Sequence, residues 1–231
     1  MGQRHQLFIL VNNPVKLKRN YANDTDKKLA RKMFGSGKHT ILAIHHQWLY
    51  GRSAIYNINH IFNITENMNE YNNPFSDGYA FESLESYIKD VMMLLQVQIN
   101  PKHPRGTGIE RMAFLNSECI ENGKYDSRWD MRLDFTMGDN NDGISIIDII
   151  ERKYCLMNIC EQEVGSNNVY ELSKLEPSSA IQYVNAYYSN IDDLEENAYC
   201  NELLKNYPIL NLKEIKTMFP KMKSLTNELV E

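Results

Sequence analysis

The chain has 231 residues, 42% of them apolar and 10% aromatic, enough to bury a core without disulfide support. A formal net charge of −5 and a pI near 5.7 count against a general nucleic-acid binder. The apolar run near the start, Leu7 to Val11, is too short for a signal h-region or a membrane span, and no later stretch approaches eighteen apolar residues, so we expect a protein of the cytosol or nucleus. Gln6 stands where a myristoylation signal after Gly2 requires Ser or Thr, and the sequons at Asn23 and Asn63 are then expected to go unused. The 26 Asn, beside many Ile, Lys and Tyr, match AT-rich codon use and carry no information on activity.

His5 to Val11 reads as a strand that Asn12-Asn13-Pro14 ends. Thr25 to Phe34 reads as a short basic helix, capped by Asp24 and stopped by Gly35. Thr40 to Tyr50 starts apolar and β-branched and can pair with the first strand in a small antiparallel sheet. After Gly51 the spacing becomes helical, with Ile55, Ile58, Ile61 and Phe62 on one face. A strong helix is predicted from about Phe81 to Gln98, stopped by Pro101 and Pro104, and a weaker one over Ile109 to Ile120. The runs Ile144 to Ile150 and Tyr154 to Ile159 fit either a hairpin turning at Glu151-Arg152-Lys153 or a helix, and the isoleucines tilt the balance to a hairpin. Helices are expected over Ser178 to Tyr188 and Asp192 to Asn206, with a last pair split by Pro220. No repeat of 20 to 50 residues is present. The expected fold is α+β, predominantly α-helical with a small antiparallel sheet. It forms a single domain over 1–231, in which the sheet and basic helix of about 1–50 pack on a mainly helical body of about 51–231.

Charge is unevenly spread. Lys16, Lys18, Arg19, Lys27, Lys28, Arg31, Lys32 and Lys38 face only Asp24 and Asp26, so residues 16–38 carry +6 and the remainder carries −11. The acidic balance gathers late, around Asp192, Asp193, Glu195, Glu196 and Glu202. Solvated helix faces account for both runs. Complementary patches that draw copies together head to tail are the sharper reading, and a two-part nuclear import signal is a third.

The candidate sites are few. Asp139-Asn140-Asn141-Asp142-Gly143 invites a calcium-loop reading, but placing Gly143 sixth puts Gly138 first and Ile149 twelfth, where carboxylates are required, so it is read as a turn. Arg4 and His5 with His45 and His46 form the best catalytic candidate. If the first two strands pair, His5 approaches one of the two later histidines while the other points to the opposite face. An imidazole pair beside an Arg suits acid–base work on a phosphate ester. Nothing at a telling spacing supplies a nucleophile or an orienting carboxylate, so structural histidines are the favoured reading. Cys119, Cys155, Cys160 and Cys200 show no C-x-x-C pair, which argues against zinc and leaves free thiols or cross-links between copies. Fourteen tyrosines include Tyr183, Tyr187 and Tyr188, a cluster suited to an interface.

Two resemblances rest on these segments. Met1-Gly2-Gln3-Arg4-His5-Gln6-Leu7-Phe8 and His45-His46-Gln47-Trp48-Leu49-Tyr50-Gly51, with the Asn140-Asn141-Asp142-Gly143 turn, look like an uncharacterised fungal protein family that brings no activity with it. In length and AT-biased composition the whole chain resembles the polyhedrins of nudiviruses. That resemblance implies a non-enzymatic occlusion-body protein of the host nucleus or cytoplasm, with no cofactor, whose partners are its own copies and the virions they enclose. It also implies dissolution in alkali, where tyrosines and cysteines gain negative charge, lysines lose positive charge, and Tyr183, Tyr187 and Tyr188 would lie at the sensitive contacts.

Overall fold

The computed structural model describes residues 4–12, 24, 39–47, 49, 51–69, 71–75, 84–96, 108–115, 143–157, 161–162, 169–170, 177–188 and 193–218. Its centre is one five-stranded mixed sheet. Strand β1 (Arg4–Asn12) pairs antiparallel with β2 (His39–Gln47), and β2 pairs antiparallel with β3 (Gly108–Leu115). On its other side β1 pairs parallel with β4 (Ile144–Asp148), which turns into the antiparallel β5 (Lys153–Met157), so the order is β3-β2-β1-β4-β5. Two short strands, β6 (Glu161–Gln162) and β7 (Val169–Tyr170), form a separate antiparallel pair.

Both faces of the sheet are covered, which is why β1 and β4 read as near-continuous apolar runs rather than alternating ones. Alternate residues feed two cores. Leu7, Ile9, Val11, Leu42, Ile44, Ile147, Tyr154 and Leu156 join the larger core. Phe8, Ile41, Ala43, Ile144, Ile146, Cys155 and Met157 join the smaller one.

Helix α1 (Arg52–Asn67) lays Ala54, Ile55, Ile58, Ile61 and Phe62 into the larger core, at the spacing read from the sequence. Helix α2 (Leu84–Gln96) adds Tyr87, Val91 and Leu95, one per turn. Helix α3 (Ala180–Tyr187) starts on a capping box between Ser179 and Gln182 and buries Ala180, Tyr183 and Val184. Helix α4 (Leu194–Leu204) contributes Cys200 and Leu204. The smaller core is closed by Leu210 and by Ile215 of the seven-residue helix α5 (Leu212–Met218). Strand β5 is not a bare edge: Tyr154 bridges to Ile209 and Leu156 to Ser178.

Two expectations are corrected. The fold is not a predominantly helical body with a small antiparallel sheet, because five strands form a mixed sheet around which the described helices pack. Its parallel β1–β4 pair joins segments more than 130 residues apart, and no local periodicity reports such a pairing. Where a weak helix is expected, over Ile109 to Ile120, β3 runs from Gly108 to Leu115, since pairing along β2 outweighs a modest helical preference. The 144–157 segment is a hairpin. Its turn is held by Asp148, whose side chain accepts the amides of Ile150 and Glu151, and Arg152 adopts a φ of 55°. The basic helix expected over Thr25 to Phe34 lies outside the described residues.

Candidate functional site

Strand pairing gathers the histidines at one end of the sheet. His5 stands opposite His46 and Gln6 opposite His45, beside a bulge in the β2–β3 ladder between His45 and His46. Alternation sends His5 and His46 towards the larger core and His45 with Gln6 towards the smaller one, the arrangement expected if the first two strands paired. Arg4 takes the first position of β1, opposite Gln47.

What the sequence did not reveal is the partner that β4 supplies. Parallel pairing sets Ser145 opposite Leu7, one step diagonal to His5, and the His5 Nε2 to Ser145 Oγ distance is 2.7 Å. On the other side of the ring, Tyr183 Oη lies 3.4 Å from His5 Nδ1, with the two rings edge-on at 81° and 6.3 Å between centroids. A neutral imidazole has one donor and one acceptor, and two hydroxyls can complement either tautomer. The Ser–His distance is that of a nucleophile and its base. His5, His46, Ser145 and Tyr183 are, however, all at most 1% exposed, so a substrate has no direct approach to the Ser145 hydroxyl in this state.

Gly143 explains how β4 enters so closely. Its φ is 105°, and an added Cβ would sit 2.6 Å from the Met157 carbonyl oxygen and 3.4 Å from the Tyr183 ring. Only glycine fits there without displacing the hairpin. Gly143 is the one described residue of the Asp139 to Gly143 turn.

The remaining expected site residues scatter. Cys155 and Cys200 form no disulfide among the described residues and are fully buried, Cys155 in the smaller core and Cys200 in the larger, on opposite faces of the sheet. Burial pushes the Cys155 thiol well above its ordinary range. Cys119 and Cys160 lie outside the described residues, as do Lys16, Lys18, Arg19, Lys27, Lys28, Arg31 and Lys32. Tyr183 is a core residue, Tyr187 ends α3, and Tyr188 is half-buried beneath Arg52.

Arg52 is the centre of a second polar cluster, one that the candidate motifs of the sequence do not include. Its Nη2 lies 2.7 Å from Asp193 Oδ1, its Nη1 3.2 Å from Glu196 Oε2 and its Nε 3.2 Å from Asn197 Oδ1, while the guanidinium stacks 4.0 Å from the Tyr188 ring centre. Asn197 passes the network on to Asn185 Oδ1 and the Tyr188 carbonyl, both at 2.9 Å. Burial alone would lower the Arg52 pKa, but the Asp193 hydrogen bond and the Glu196 charge more than offset it. Gly51, at φ 51°, leaves no room for a Cβ, which would fall 2.7 Å from the Tyr188 ring. The signal available in the sequence was this Gly51-Arg52 pair opening an amphipathic helix.

Outward from that cluster, α4 exposes Leu194 (53%) and Tyr199 (52%) among the carboxylates Glu195 and Glu202. A shallow apolar groove of about 420 Å³ runs between the end of α1 and α2, lined by Ile64, Met68, Pro74, Met93 and Leu94. Among the described residues no helix is long and apolar enough to cross a membrane, and no three His, Cys, Asp or Glu side chains are grouped to hold a metal ion. No family model, curated protein or solved structure matches the chain.

Proposed function

We propose that this chain is a structural protein that assembles with its own copies into a dense matrix, as the polyhedrins it resembles do around virions in the nucleus or cytoplasm of the host cell. The observation that carries the reading is the outward placement of large apolar side chains on the helical flank: Tyr71, Met93, Leu194 and Tyr199 are each more than half exposed. Such side chains are suited to contacts between molecules. The groups best suited to chemistry are instead used to lock β1 to β4 and α3. In this reading Cys119 and Cys160, rather than the core thiols Cys155 and Cys200, are the candidates for cross-links between copies.

Release in alkali then has two parts. Lysines that lose charge weaken contacts between copies, and the subunit itself loosens. Burial raises the Tyr56, Tyr154 and Cys155 pKa values above their ordinary ranges. A folded-state pKa above the unfolded one contributes stability that is whole at neutral pH. It is lost as pH rises through the unfolded values of about 8.5 for Cys and 10 for Tyr.

Sedimentation of the purified chain tests the reading. Association that grows with concentration, ordered arrays by electron microscopy and dissolution near pH 11 with reductant are expected. A monodisperse monomer at millimolar concentration would overturn it. The 2.7 Å Ser145–His5 contact favours one alternative, an enzyme or phosphate-binding module built on Arg4, His5, His45 and His46. Replacing both His45 and His46 by Gln separates the two: assembly survives under the first reading, and hydrolysis of phosphate-ester or acyl probes disappears under the second.

A further inference from the structure

We infer that the outer face of α4 is the seat for the basic segment 16–38 of a second copy, an inference that rests on the self-assembly reading above. The eleven-residue helix has two distinct sides. Asn197, Cys200 and Leu204 face inward, whereas Leu194, Glu195, Ala198, Tyr199 and Glu202 are exposed. Asp193 and Glu196 are engaged with Arg52 and are not available to a partner. Among the described residues Glu195 has no ion pair, and Glu202 pairs with Lys205, which caps the end of α4. The Tyr199 ring is steadied against Tyr56, 6.3 Å between centroids, so it offers a fixed aromatic face between two carboxylates. Carboxylates flanking an exposed tyrosine ring suit Lys and Arg side chains, which take the charge at one end and the ring along the stem.

Charge complementarity selects the occupant. Residues 16–38 carry +6, and the rest of the chain carries −11. In the self-assembly reading that segment is a neighbour's. Helix α4 begins beside Arg52, five residues beyond the end of β2 at Gln47. The basic segment leaves the sheet at Asn12 and returns at His39, the opposite end of the same strand pair. The nine residues of β1 set those ends about 26 Å apart. Head-to-tail stacking brings the Asn12–His39 end of one copy's strand pair to the α4 end of the next. The contact joins two different surfaces, so copies stacked head to tail extend into chains unless the rotation closes them into a ring.

Sedimentation equilibrium on the full chain tests this with two charge reversals: Glu195→Lys with Glu202→Lys on α4, and Lys27→Glu, Lys28→Glu and Arg31→Glu in the segment. Each set alone should weaken self-association about tenfold or more at low salt, with less effect at high salt. Mixing the two reversed proteins in equal amounts should restore association, because the reversed helix of one meets the reversed segment of the other. Wild-type association unchanged by the α4 reversal would overturn the seat. Loss without restoration on mixing would overturn the occupant. A wild-type chain that stays monomeric would remove the assembly reading itself, a result distinct from either.

Discussion

Two polar clusters at the same end of the β1–β2 pair place their side chains in opposite ways. At the His5–His46 end, imidazoles, Ser145 and Tyr183 are enclosed, and the hydroxyls take up both nitrogens of His5. Beside that end, the Arg52 cluster sits at the boundary with solvent, and its outer neighbours Leu194, Glu195 and Tyr199 are exposed. A tyrosine is therefore enclosed where helix and sheet meet, as at Tyr183, and open to solvent on the outer side of a helix, as at Tyr199. Burial, rather than residue identity, separates a histidine that stabilises the fold from a tyrosine that can meet a partner.

Four substitutions sharpen that contrast, from the largest effect to the smallest. Ile58→Ala empties a site in the larger core beneath α1 and should cost about 4 kcal/mol in denaturant unfolding. Ile215→Ala, in the smaller core beneath a seven-residue helix that can shift inward, should cost about 2 kcal/mol. Equal costs would mean that the two faces are packed alike. Ser145→Ala removes one hydroxyl from His5 and leaves a buried ring nitrogen to find another partner, for about 1 to 2 kcal/mol of stability. A neutral result would show that the histidine end does not need its serine.

The smallest effect is on the acid side. Burial lowers the His60 pKa, and its ring Nε2 makes no hydrogen bond among the described residues. A depressed folded-state pKa contributes stability that is present above about pH 6.5 and lost as pH falls below it. His60→Gln should therefore flatten the fall in melting temperature between about pH 6.5 and 5, with little change at pH 8. An unchanged acid profile would assign that fall to other groups.

Much of this was legible in the sequence where the signal was local. The periodicity of Ile55, Ile58, Ile61 and Phe62 reported the buried face of α1, because helical spacing and burial are set by the same geometry. The opposite facing of His45 and His46 followed from strand alternation, once the first two strands pair as they do. Ser145 at 2.7 Å from His5 could not be anticipated, since it depends on a parallel pairing across 140 residues of chain. The Arg52 network is equally non-local: a helix start near residue 52 and a helix start near residue 193 meet only after both have packed.

The sequence by itself determined the first strand, the buried face of α1 and the uneven division of charge, because each is encoded within a few residues. Only the tertiary structure decided that five strands make one mixed sheet, that Tyr183 belongs to the core while Tyr199 faces outward, and that His5 has hydroxyl partners on both sides. Those outcomes depend on which distant segments pair, and pairing is settled by the burial of whole faces rather than by any short run of residues.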